Sequence, residues 1–216
     1  MQAIIFDLDG TLVHSAPDLH AAAVAMLGDL GRPGLTLAQV TGFIGNGVPK
    51  LVQRCLAATG GIPEDGGKAA LEIFSAHYSR HPTRLSRVYD GVRQMLAALG
   101  KAGIGLGVCT NKPEAMARLV LDQLGIGEAI TALVGGDTLT VRKPDPEPLR
   151  HCLRLLGAES DRAIYVGDSE TDAETAGNLR LRFALFSGGY RKSPIEAMRA
   201  DFVFSDFAAL TREVLG

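Results

Sequence analysis

Short apolar runs alternate with amphipathic stretches over most of this chain. Residues 3–6, 104–109, 132–134, 163–166 and 183–186 are compact, apolar and bounded by glycine or polar positions. That pattern predicts strands buried on both faces of a parallel sheet. Between them, apolar residues recur at helical spacing. Val92, Met95, Leu96 and Leu99 form one stripe, Met116, Leu119, Val120 and Leu124 a second, and Leu149, Cys152, Leu153 and Leu156 a third. Strand followed by helix, repeated, implies right-handed crossovers and a doubly wound α/β sheet. In such sheets ligands bind at the carboxyl ends of the strands.

The stretch from Ser15 to about Arg84 breaks this rhythm. Leu19, Ala22, Ala23, Met26, Leu27 and Leu30 make one helical stripe, and further helical segments are predicted near 37–43, 48–58 and 68–80. Gly31-Arg32-Pro33-Gly34 and Gly60-Gly61-Ile62-Pro63 separate them, and no strand pattern appears. The expected organisation is an α/β core of residues 1–14 and 85–216, with an all-helical domain of residues 15–84 inserted after the first strand.

Composition narrows the classes. A chain of 216 residues, 46% hydrophobic, can bury a full core. Its net charge of −2 provides no basic field for nucleic acid or an anionic membrane. No apolar run reaches the roughly 18 residues of a membrane helix, and no signal-peptide pattern opens the sequence. Cys55, Cys109 and Cys152 are far apart and fit no metal or redox spacing. A cytoplasmic globular protein, monomer or homodimer, is expected.

Candidate chemistry then gathers at the strand ends. Asp7 and Asp9 follow the first run, in Phe6-Asp7-Leu8-Asp9-Gly10-Thr11-Leu12. Two carboxylates this close repel unless a cation sits between them. Thr110-Asn111-Lys112 follows the second run, Lys143 lies beyond Gly135-Gly136-Asp137, and Gly167-Asp168-Ser169-Glu170-Thr171-Asp172 follows the fourth. Each has a plain structural alternative: a helix N-cap at Thr110, a loop lysine at Lys143, helix-dipole acids at Asp168 and Asp172. Taken together at one sheet edge they suit something else. Clustered carboxylates suit Mg²⁺, a hydroxyl with backbone N–H groups and a lysine suit a phosphoryl group, and a carboxylate can serve as nucleophile.

These motifs, in this order, resemble those of the haloacid dehalogenase superfamily, and the likeness covers nearly the whole chain. It implies a Rossmann-like core with a type-1 helical cap. It also implies Asp7 as the phosphorylated nucleophile and Asp9 as the acid that protonates the leaving alkoxide and then activates water. Asp9 must then hold a proton when substrate is bound. Thr110 and Asn111 would bind the phosphoryl group, and Lys143 would hold Asp7 and the phosphoryl oxygens. Mg²⁺ would rest on Asp7, the main-chain carbonyl of Asp9, and Asp168, with Asp172 orienting a metal-bound water or Lys143. The dehalogenases lack the second aspartate, so Asp9 points to phosphoester chemistry.

Within the superfamily, 13–19 and 143–149 resemble segments of the phosphoglycolate phosphatases, with His14 standing where that group usually has Asp. The implied substrate is a small phosphorylated metabolite, 2-phosphoglycolate foremost. A β-phosphoglucomutase-like phosphosugar mutase or a sugar phosphatase is the rival. The mutases place a cap histidine where this chain has Leu19; His20 is one position later, about 100° around a helix. A non-catalytic binding protein on the same fold is the alternative of another class, although none of Asp7, Asp9, Lys143 or Asp168 is missing. In the cap, the glycine-rich 41–47 matches the specificity region, and Lys50 and Arg54, one turn apart, are candidates for a substrate carboxylate.

Overall fold

The computed structural model describes residues 1–216. In chain order the strands are β1 (Ala3–Phe6), β2 (Val13–His14), β3 (Arg87–Val88), β4 (Gly105–Cys109), β5 (Ala132–Val134), β6 (Ala163–Gly167), β7 (Arg182–Phe186) and β8 (Phe202–Phe204). The α-helices are α1 (Ala16–Asp29), α2 (Leu37–Thr41), α3 (Val48–Ala58), α4 (Lys68–Arg80), α5 (Val92–Lys101), α6 (Glu114–Gln123), α7 (Glu147–Leu156), α8 (Glu170–Leu179) and α9 (Phe207–Leu215). No helix is long and apolar enough to cross a membrane.

Six strands form one parallel sheet in the order β5-β4-β1-β6-β7-β8. The order reverses beside β1, so β1 sits centrally with β4 on one side and β6 on the other. Alternation within β1 explains why the whole run is apolar. Ile4 and Phe6 join a core of 25 buried residues on one face, with α5, α6 and α9. Ala3 and Ile5 join a second core of 15 on the other, with α7 and α8. A strand covered on both faces has no polar side to display.

Helices α1–α4 enclose a separate apolar cluster of 17 residues built from Leu19, Met26, Leu51, Leu56, Phe74 and their neighbours. The chain leaves for these helices through β2 and returns through β3. These two pair as an antiparallel ribbon, Val13 opposite Val88 and His14 opposite Arg87. Asp18, buried at the start of α1, accepts hydrogen bonds from the Leu85 and Ser86 amides and from the Ser86 hydroxyl, the last at 2.5 Å. Departure and return are therefore tied at one place, and we propose 15–84 as a cap unit hinged there.

Three strands carry little sequence signal. β8 is a three-residue edge strand, half-exposed at Phe202 and exposed at Val203, so it lacks the doubly apolar pattern of the inner strands. β2 and β3 are two residues each, too short for any periodicity.

Candidate active site

The carboxyl ends of β1, β4 and β6, with the loop after β5, meet at one crevice beneath the cap. At β1 the Asp7 amide bonds Val166 O of β6 at 2.8 Å, which fixes where the strand ends. The turn that follows folds on Leu8 O, which accepts from the Thr11, Leu12 and Val13 amides. Gly10 adopts φ +93°, and a Cβ there would lie 2.5 Å from Asp168 Oδ2. Only glycine allows both that backbone and that approach.

Lys143 is the electrostatic centre. Its Nζ lies 2.7 Å from Asp172 Oδ1, 2.9 Å from Asp7 Oδ1 and 2.7 Å from the Tyr165 hydroxyl. Burial would push the ammonium towards neutrality, but Asp172 and Asp7 outweigh it and hold the lysine charged. Asp172 is saturated. Its Oδ1 takes Lys143 and Tyr165, and its Oδ2 takes the Ser169 amide and hydroxyl and the Asp168 amide. The Ser169–Asp172 exchange is also the capping box that starts α8. Burial raises the Asp172 carboxyl, yet Lys143, Ser169 and Tyr165 bring it below its ordinary value.

Asp7 and Asp168 are placed differently. Burial raises Asp7 to about 6, with Asp172 adding to the rise and Lys143 opposing it. Burial, then Asp172 and Asp7, hold Asp168 well above the carboxylate range. Asp168 accepts from Thr11 Oγ1 at 2.7 Å and from the Tyr190 amide at 2.6 Å. Carboxylate oxygens of Asp7, Asp168 and Asp172 lie within 4.8 Å of one another. Asp7 Oδ1 is buried, with Lys143 at 2.9 Å and no hydrogen bond from any other group. Excess buried negative charge, hard oxygen donors and a free carboxylate lone pair all fit a divalent cation such as Mg²⁺. Asp172 has no oxygen to spare for it; Asp7 and Asp168 do.

A pH dependence follows. A buried carboxyl whose pKa is raised on folding contributes most below its unfolded value, and that contribution is lost as pH rises through the folded one. The metal-free protein should therefore lose stability from pH 4 to beyond 6 because of Asp7 and Asp168. Mg²⁺ held there would bind the ionised carboxylates, so its stabilising effect should grow over the same range. Thermal melting with and without Mg²⁺ should show a clearly larger upward shift at pH 7.5 than at pH 5. Equal shifts at both pH values would exclude these carboxylates as the ligands.

At β4, the Thr110 amide bonds Val134 O of β5 at 3.0 Å, and Thr110, Asn111 and Lys112 are all buried. Asn111 Nδ2 reaches Lys143 O at 3.1 Å and, across the crevice, Gly45 O of the cap at 3.3 Å. A second bridge runs from Asn46 Nδ2 to Thr171 Oγ1 at 3.0 Å. The cap loop thus rests on the core. The crevice so enclosed is lined from the core by Asp7, Asp9, Thr110, Asn111 and Lys112. From the cap come Leu19, Ile44, Val48, Leu51 and the backbone of Gly45 and Gly47.

Asp7, Asp9, Thr110, Asn111, Lys143, Asp168 and Asp172 therefore come together. Lys50 and Arg54 do not join them. Lys50 is exposed, and Arg54 spends its guanidinium on Phe43 O and Asn46 Oδ1, bracing the loop. Both line a separate depression at the rim with Arg142 and the outer side of Lys143. His20 bonds Leu35 O at 2.8 Å, inside the cap. His14, in the hinge ribbon, lies 3.1 Å from the Tyr190 hydroxyl.

Three contributors escape the sequence reading. Tyr165 sits inside an apolar strand, where nothing distinguishes it from core, yet its hydroxyl joins Lys143 to Asp172. Tyr190 follows the last long strand. Its amide holds Asp168 while its hydroxyl accepts from the Ala16 amide at 3.0 Å, linking that carboxylate to the root of the cap. Lys112 stands beside Asn111 in the same motif, a signal that was present without a role. Its Nζ bonds both oxygens of Asp9, at 3.0 and 2.9 Å.

Gly189, next to Tyr190, is a further support. A Cβ there would fall 2.2 Å from Asp168. Gly189→Ala should displace that carboxylate and raise the Mg²⁺ concentration for half-maximal activity about 10- to 100-fold. Metal titration of activity, with folding verified by circular dichroism, tests this; an unchanged midpoint would count against Asp168 as a ligand.

The profile of haloacid dehalogenase-like hydrolases matches residues 4–186. A phosphoglycolate phosphatase of Cereibacter sphaeroides (strain ATCC 17029 / ATH 2.4.9) is 48% identical over 206 residues, 95% of this chain and 94% of its own. One from Rhodospirillum rubrum is 46% identical over 214 residues, covering 97% and 89%. Among solved structures, a predicted phosphoglycolate phosphatase of Haemophilus somnus 129PT superposes with a TM-score of 0.94 at 32% identity, covering 99% and 97% of the two chains. With its motifs gathered at one sheet edge and these matches along nearly all its length, the chain belongs to the haloacid dehalogenase-like hydrolase family.

Proposed function

We propose that the chain hydrolyses 2-phosphoglycolate to glycolate and phosphate through a phosphorylated Asp7. Its standing as a phosphoric monoester hydrolase rests on the family and on relatives named for that activity. The observation that carries the mechanism is the division of labour at the end of β1. Asp7 lies in the buried acidic cluster on Lys143, whereas Asp9 lies outside that cluster and lines the crevice.

In the proposed first step an Asp7 oxygen bonds to phosphorus and the ester P–O bond breaks. The leaving alkoxide takes a proton from Asp9, which must enter this step protonated, with one oxygen turned from Lys112 towards the leaving group. In the second step Asp9 takes a proton from water, the water oxygen bonds to phosphorus, and the Asp7–phosphorus bond breaks to release phosphate. Thr110 and Asn111 orient the phosphoryl group, and Lys143 holds Asp7 and offsets phosphoryl charge. Mg²⁺ would be held by Asp7, Asp168 and the Asp9 carbonyl, with Asp172 orienting Lys143. Bound there, it would stabilise negative charge on the transferring group. The cap loop over the crevice, held by Asn111 and Thr171, excludes water during the first step.

A mutase needs a cap group to move protons for a sugar hydroxyl. His20, the histidine one position from the mutases' register, is committed to Leu35 O, and the crevice wall from the cap is apolar. Both observations favour hydrolysis of a small substrate. Phosphate release measured over a panel of small phosphoesters with Mg²⁺ should rank 2-phosphoglycolate first by kcat/KM. Hexose phosphates ranking tenfold above it would overturn the substrate assignment while leaving the chemistry standing.

A further inference from the structure

We infer that Lys112 is the residue that selects a carboxylate on the substrate, so that the crevice takes short acids phosphorylated on the adjacent hydroxyl. This deepens the reading above and rests on it. Lys112 is the only cationic side chain lining the crevice; Lys143 lies beneath, and Lys50 and Arg54 lie outside. The cap's contribution is apolar side chains and glycine backbone, so a second negative charge on the substrate finds no other partner there.

Lys112 is fixed in place. Its side chain is 1% exposed, its Nζ is within 3.0 Å of both Asp9 oxygens, and the Tyr78 ring of α4 lies 4.9 Å from it. An ammonium has three N–H donors. Asp9 uses two, and the third has only the neutral Tyr78 beside it, so an anionic ligand can claim it. Tyr78 is buried and its hydroxyl has no partner apart from this lysine, so the cap offers Lys112 a ring face and one neutral phenol oxygen, which a substrate carboxylate can replace while accepting the phenol O–H. Lys112 also adjoins Asn111 in sequence, so a phosphoryl group held by Thr110 and Asn111 sits close to it. Thr110, Asn111 and Lys112 line the one crevice, so a short phosphorylated acid can reach both anchors.

The test compares 2-phosphoglycolate with 2-hydroxyethyl phosphate, which replaces the carboxylate by a neutral hydroxymethyl group. The wild type should prefer the acid in kcat/KM. Lys112→Gln and Lys112→Met should each lower that preference about 10- to 100-fold, the worth of one charge-assisted hydrogen bond. Lys112→Arg should keep most of it. The readout is a ratio between substrates, so a common loss from disturbing Asp9 cancels. A wild type without any preference for the acid would overturn both the substrate reading and this inference. A preference that survives in the Gln and Met variants, with both substrates slowed equally, would overturn the inference alone. Should neither neutral variant fold, the Arg variant decides: loss of folding with the charge retained, or an Arg protein that no longer prefers the acid, would also overturn it.

Discussion

Asp7→Asn should abolish turnover, lowering kcat by about ten-thousand-fold or more, as expected for loss of a covalent nucleophile. The substitution keeps the shape of a buried side chain and removes one negative charge. Lys143 still has Asp172 and Tyr165, so the ion pair at the heart of the site survives. Stability should therefore not fall with activity. Burial raises Asp7 to about 6, which means that its ionised form costs stability above that pH. Without metal at pH 7.5, the Asn variant should melt no lower than the wild type; the wild type should gain on it as pH falls through 6, the gain being complete only near pH 4, below the unfolded pKa. Acid-quenched reactions with labelled substrate should trap phosphate on the wild type and none on the variant. Full activity in Asp7→Asn would end the nucleophile assignment, and a collapsed melting curve would show that the loss was one of folding.

What the sequence made legible follows the physics of burial. Inner strands covered on both faces must be apolar throughout, so β1, β4, β5, β6 and β7 stand out as runs, whereas the edge strand β8 does not. Asp7, Asp9, Thr110, Asn111, Lys143, Asp168 and Asp172 were legible because each follows a strand, and strand order brings those ends together whatever the intervening lengths. Lys50 and Arg54 were placed by helical spacing alone. Spacing states that they share a face, but not that the face looks away from the crevice, which depends on how the cap packs. Tyr165 is the opposite case. Its strand position says only that it is buried, and its role comes from Lys143 arriving from another loop. The partnership of Lys112 with Asp9 joins residues 103 positions apart and depends on the turn at Gly10 directing Asp9 towards β4.

Lys143→Met should be the most destabilising single change in the site, because it leaves two buried carboxylates with no cation between them. Methionine replaces the apolar stem, so packing is largely conserved and the loss is electrostatic. Removing one partner of a buried pair costs about 3–5 kcal/mol, and turnover should fall about a thousand-fold or more with the loss of charge at the phosphoryl group. The sign of the pH dependence is fixed by Asp172. In the wild type its pKa is depressed by Lys143, Ser169 and Tyr165 against burial, so its contribution to stability is present above its unfolded pKa and lost as pH falls through the folded value. Without Lys143, burial and Asp7 act on Asp172 with less opposition. Both acids then take up protons as pH falls, so the deficit in denaturant unfolding should be large at pH 7.5 and smaller at pH 5. Adding Asp172→Asn separates the two consequences. The amide oxygen can still accept from Ser169 while the NH₂ group faces Tyr165, and one buried charge is gone. The double variant should regain about 1–2 kcal/mol relative to additivity and none of the activity. A Lys143→Met protein as stable as the wild type at pH 7.5 would mean that the buried acids are not charged together, and that the lysine serves the phosphoryl group alone.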